Sequence, residues 1–107
     1  MNEKEKELYR IVDIVIACCA TGGNEKELRQ RVLGGARDDN TVLTRCMLAR
    51  IMAFAGYSNA TIAMMLGRDV KTVRNLLESA RDARRTRQSY RIAEDEAMYR
   101  YSKESKQ

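Results

Sequence analysis

Eight cations stand between positions 68 and 91: Arg68, Lys71, Arg74, Arg81, Arg84, Arg85, Arg87 and Arg91, against three carboxylates. Residues 1–67 hold nine Lys/Arg against eight Asp/Glu, and residues 92–107 hold three against four, so the whole formal excess of +5 lies in this one segment. Guanidinium and ammonium groups at that density neutralise phosphates, and arginine and asparagine also read base edges through paired hydrogen bonds. Clustered charge of this kind is the footprint of a nucleic-acid binder, although a merely solvated helix face produces the same count. Spacing adds what charge leaves open. In "VKTVRNLLESA", Val73, Leu76, Leu77 and Ala80 recur at i, i+3, i+4 and i+7, which leaves Lys71, Arg74, Asn75 and Glu78 on the opposite side of a helix.

Other chemistry is poorly provided for. The chain has no histidine, and so lacks the commonest general base and the commonest metal ligand. Cys18, Cys19 and Cys46 form no CxxC pair, and Asp38 and Asp39 beside glycines suit a turn or a helix start. No enzyme, cofactor or metal is expected.

Composition, capping signals and apolar spacing define the helices that carry these cations. A length of 107 residues suits one domain, and 44% hydrophobic with 33% charged residues suits a globular chain. Proline is absent, and Ala, Leu, Met, Arg and Glu are abundant, which predicts an all-α protein of four to six helices. Asn2 with Glu5 reads as a capping box for a helix over 3–20, with Leu8, Ile11, Val12, Val15 and Cys19 facing the core. "TGG" ends it, and Asn24 with Glu27 repeats the signal for a short helix that buries Leu28 and Val32. The loop "LGGARDDN" leads to a cap at Asn40 or Thr41 and a helix over 41–55 with Leu43, Met47, Ile51 and Phe54 on one face. Only Arg45 and Arg50 interrupt that helix, which marks it as central. Ser58 caps "NATIAMML", with Ile62 and Leu66 inward; Gly67 makes a tight turn and Asp69 caps the helix that follows. Beyond Ala80 one long helix and two helices divided near Ser89 are both open. Residues 1–102 are read as a single domain and 103–107 as a disordered tail. The alternating charges of "MNEKEKELYR" do not suit a signal peptide, and "IVDIVIACCA" is too short, and interrupted by Asp13, to span a membrane.

A short helix, a glycine turn and a second helix with a basic, polar free face is the helix-turn-helix pattern, here over about 58–85. "GYSNATIAMMLGRDVKTV" resembles the signature of the C-terminal DNA-binding domain of the bacterial replication initiator DnaA, approximately G-x-S-x-x-E-I-G-x-x-F-G-R-D-H-[ST]-T-V. Gly56, Ser58, Ile62, Gly67, Arg68, Asp69, Thr72 and Val73 match, and Leu66 replaces the aromatic residue. The resemblance is strongest over 56–73 and extends weakly over about 8–85. It implies a DnaA C-terminal-like (TrpR-like) helix-turn-helix that binds double-stranded DNA, with Thr72 as a retained contact residue and Arg37 as the counterpart of a minor-groove arginine. Val70 and Lys71 depart from the signature's histidine and hydroxyl residue, Thr61 from its acidic residue, and "GGARDDN" from an arginine-rich loop. The family's own DNA site is therefore not implied. No GxxxxGK[ST] occurs, so the initiator's nucleotide-hydrolysing activity is not expected.

The candidate interface comprises Lys71, Thr72, Arg74 and Asn75 in the groove, with Arg74 and Asn75 reading bases. Arg68, Arg81, Arg84 and Arg85 meet phosphates, Arg37 enters the minor groove and Asp69 caps the helix. A regulator, or a factor of a mobile element or phage, is the expected role. The alternative is an interaction module whose Tyr90, Ala93, Ala97 and Tyr101 stripe, within residues 90–101, serves a homodimer or another protein partner. The cysteines are read as reduced core thiols of a cytoplasmic protein. Titration of the denatured, never-reduced protein is accordingly expected to count three thiols; a disulfide from Cys46 to Cys18 or Cys19 would contradict that setting.

Overall fold

Helices form where capping signals and apolar periodicity agree. The computed structural model describes residues 2–105. The elements are α1 (Glu3–Cys19), α2 (Glu25–Leu33), α3 (Asp39–Phe54), α4 (Asn59–Leu66), α5 (Val70–Thr86) and α6 (Gln88–Ser105), with no strand among the described residues. The Asn2 side chain accepts from the Glu5 N–H at 2.8 Å, and Ser58 and Asp69 cap α4 and α5 as expected. Two caps differ. The Asn24 oxygen accepts from the Thr21 N–H in the preceding turn instead of capping α2. At α3 the cap is neither Asn40 nor Thr41 but Asp38, because its carboxylate receives both the Thr41 N–H and the Thr41 hydroxyl, at 3.2 and 2.7 Å.

α3 is the axle of the fold: it packs on all five other helices, most extensively on α5 and α1. Its middle is buried nearly all round, from Thr44 to Ala49. α1 supplies Leu8, Ile11, Val12, Val15 and Ile16, α2 supplies Leu28 and Val32, and α4 supplies Ile62 and Leu66. Val73, Leu76, Ala80 and Ala83 close the core from α5, while Leu77 and Cys19 are half-buried against it. Phe54 departs from expectation. It is 60% exposed, because it ends α3 and Tyr101 of α6 closes the core beside it, its ring edge-on at 6.4 Å between centroids.

The segment after Ala80 forms two helices, parted at Arg87 rather than Ser89. Arg87 is extended (φ −125°, ψ 108°), which lets α6 turn back along α1 and α3. α6 thereby buries Tyr90, Ala97 and Tyr101, with Ala93 half-buried, in the chain's own core. That stripe is not available to a partner, which corrects the docking surface expected on residues 90–101. The expected tail is likewise helical through Ser105; residues 106–107 lie outside the described residues. A carboxylate comes with α6 that sequence reading did not place: Glu94 is 1% exposed, held by Arg84 at 3.0 Å and Arg50 at 4.0 Å. Burial, and then the Glu94 charge, push the neighbouring Tyr90 phenol well above its ordinary range.

All three cysteines are free thiols. Burial pushes the Cys19 and Cys46 thiols up to about 11, so they are inert at neutral pH. The facing of α5 is the point on which the site depends. Leu76→Asp, which buries an unpaired carboxylate, is expected to unfold the domain in a circular-dichroism melt, and a cooperative, soluble variant would place the helix the wrong way round.

Candidate nucleic-acid interface

α4 and α5 are joined by the Gly67–Arg68–Asp69 turn. Gly67 adopts φ +64°, a left-handed conformation that costs glycine little and other residues more, and so ends α4 in a C-cap. The Asp69 carboxylate accepts from the Thr72 N–H at 2.7 Å and fixes the first turn of α5. That bond holds its carboxyl below the usual carboxylate range. The stabilisation is therefore complete above that range and is lost as pH falls through the lowered, folded-state value.

With Val73, Leu76 and Ala80 turned to α3, the opposite side of α5 carries Lys71, Arg74, Asn75, Glu78 and Arg81, all exposed. Arg37, Lys71, Arg74, Arg81 and Arg91 make no ion pair among the described residues. The other expected phosphate contacts are engaged within the chain. Arg84 reaches Glu94 at 3.0 Å and Asp95 at 2.8 Å, which raises its already high pKa, chiefly through the Asp95 bond. Arg85 meets Asp82 at 3.0 Å, yet both side chains stay largely exposed, and such a pair contributes little. Arg87, which was not among the expected contacts, joins the α5–α6 junction to Asp39 at the start of α3, at 2.8 Å.

Arg68 also has a structural task. Its guanidinium donates to the Leu66 carbonyl at 3.0 Å and to the Gly34 carbonyl, strapping the α4–α5 turn to the loop between α2 and α3. The arrangement leaves a notch lined by Gly34, Gly35, Arg37, Val42, Arg45, Arg68, Thr72 and Leu76. Arg37, Arg68 and Thr72, which sequence reading singled out separately, thus meet at one place. Three guanidiniums and no carboxylate line it, a surface that attracts an anion such as a phosphodiester.

The residue that sequence reading passed over is Arg45, 6% exposed in the middle of α3. Its Nε donates to the Val32 carbonyl at 3.0 Å, and its Nη2 reaches the carbonyls of Arg31, Ala36 and Gly34 at 3.1, 3.0 and 3.3 Å. These are the orphan acceptors at the end of α2 and in the loop after it, which a fork of N–H donors can satisfy together. Burial first, then the nearby Arg68 charge, lower its pKa, though a guanidinium stays charged at neutral pH. A signal was available: an arginine in the middle of a helix that is nearly apolar all round must find acceptors inside.

No family model matches the chain, and no curated protein or solved structure proves significantly similar to it. The interface therefore rests on its own geometry. Arg45→Met keeps much of the side chain's volume but leaves those carbonyls without a donor. It is expected to cost on the order of 2–4 kcal/mol in urea unfolding, and stability within about 0.5 kcal/mol of the parent would show that water replaces the guanidinium.

Proposed function

We propose that the chain binds double-stranded DNA, with α5 in the major groove and α4 across the backbone. The observation that carries the reading is the outward face of α5, where Lys71, Arg74, Asn75 and Arg81 stand exposed beyond a glycine turn fixed at both ends. Lys71, Arg74 and Asn75 stand on its first two turns, and in this reading they are the recognition residues, with Arg74 and Asn75 as base readers. Thr72, half-buried beside the notch, suits a contact to the backbone. Arg81 follows along the helix as a phosphate contact, with Arg85 available once its exposed pair with Asp82 opens. Arg84, tied to Glu94 and Asp95, is a weaker candidate, and Arg68 contributes charge while it holds the turn. Arg37, exposed on the loop beside the notch, is the residue that the DnaA resemblance assigns to the minor groove.

In this reading the chain is a DNA-binding regulator, or a factor of a mobile element or phage, acting in the cytoplasm without cofactor or catalysis. No helix among the described residues is long and apolar enough to cross a membrane. The interaction-module reading keeps one observation in its favour, Ile92 and Tyr99 exposed on the outward face of α6. A monomer's mass for the chain at micromolar concentration would set aside its homodimer form.

Phosphate contacts and base contacts respond differently, and fluorescence anisotropy with labelled duplexes separates them. Arg81→Ala is expected to weaken binding to all duplexes alike and to lower the salt slope by about one. Asn75→Ala is expected to cost about 1–3 kcal/mol on the preferred site and far less elsewhere. Unchanged binding by both variants would mean that the face is only solvated.

A further inference from the structure

We propose that Glu78 reads a cytosine in the major groove and so sets one position of the DNA site; the inference rests on the duplex-binding reading above. Three carboxylates lie among the cations of residues 68–91, and two are occupied: Asp69 caps α5, and Asp82 pairs with Arg85. Glu78 is exposed and enters no ion pair or hydrogen bond among the described residues, although Arg74 lies four residues before it and Arg81 three after. Both are within helical reach, yet neither is drawn in.

Position gives this carboxylate its meaning. Lys71 and Glu78 are seven residues apart, so they share one line along the helix, displaced by only about 20° over two turns. That line is opposite Val73, Leu76 and Ala80, which face the core. A helix lying in the groove turns its outward face to the base edges, with Lys71 and Glu78 along the middle of that face and Arg74 and Asn75 to either side, and leaves its outer margins to the phosphates. Along that line Glu78 follows Lys71 by about 10 Å, the rise of roughly three base pairs.

A carboxylate against DNA is repelled by every phosphate and can only accept hydrogen bonds. In the major groove two bases offer an amino donor, adenine at N6 and cytosine at N4. Adenine sets its N7 acceptor beside that amino group, where it opposes a second negative charge. Cytosine has a carbon-bound hydrogen there. Cytosine is thus the base a glutamate tolerates best, and each wrong base leaves it desolvated without a donor.

Selection of bound sites from a random duplex pool, with the full chain and with Glu78→Ala and Glu78→Gln, tests this directly. The parent is expected to require one C·G pair about three base pairs from the Lys71 position, favoured on the order of tenfold. Glu78→Ala is expected to bring that position near parity, keep the rest of the site and bind unrelated duplex more tightly, since a repulsive charge is gone. Glu78→Gln is expected to move the preference towards A·T, because an amide pairs with adenine at N6 and N7. If both variants select the parent's site unchanged, Glu78 is only a solvated charge and the duplex-binding reading stands without it. If the parent binds no duplex at all, both fall together.

Discussion

One guanidinium, that of Arg45, is buried where α3 passes the end of α2, and the loop and turn around it are arranged to satisfy it. It projects from α3 at the edge of the core, on the floor of the notch, where a cation so little exposed is tolerated only with acceptors around it. It finds them at the carbonyl end of α2 and in the loop that follows, so one side chain ends a helix and fixes a loop. Gly34 is the shared node. Its carbonyl takes donors from Arg45 and from Arg68, which belongs to the turn between α4 and α5. The loop bearing Arg37 and the helix bearing Lys71 are therefore held to the same frame, and the notch between them follows.

The cations of the chain divide by whether an acid answers them internally. Arg84 and Arg50 converge on Glu94, Arg87 takes Asp39, and Arg29 takes Asp13 on the far side of the fold. These pairs join elements, α5 to α6, the α5–α6 junction to α3, and α2 to α1, and so help to fix helix angles that apolar contact alone leaves loose. Arg37 on the loop beside the notch, and Lys71, Arg74 and Arg81 on the exposed face of α5, are left without such partners among the described residues. Charge that folding does not consume is available for a ligand.

Much of this was legible in the sequence, for a physical reason. Local signals fixed local structure: Asn2, Ser58 and Asp69 cap as their positions indicate, Gly67 turns, and the Val73–Leu76–Ala80 stripe faces inward. The misreadings at the two caps arise where neighbouring side chains compete within one turn, and the others lie where a long-range partner decides. Asp38 outcompetes Asn40 because it also receives the Thr41 hydroxyl. Phe54 has the right period yet lies outside, since Tyr101, far along the chain, takes the adjoining core position. The stripe on α6 could face a partner or the parent core equally well, and only the reversal at Arg87 decides. Arg84 looked like a free cation because Glu94 and Asp95, ten and eleven residues on, are brought to it by that same reversal.

In the proposed function, the 34–37 loop, the α4–α5 turn and the outward face of α5 meet duplex DNA. An NMR titration of the nitrogen-15-labelled chain with a short duplex at low salt tests it most directly. Backbone signals are expected to shift at Arg37, Lys71, Thr72, Asn75 and Glu78, while α1 and the outward face of α6 stay unmoved and the shifts recede as salt is added. Shifts confined to α1 and α6, or none at any salt, would contradict it.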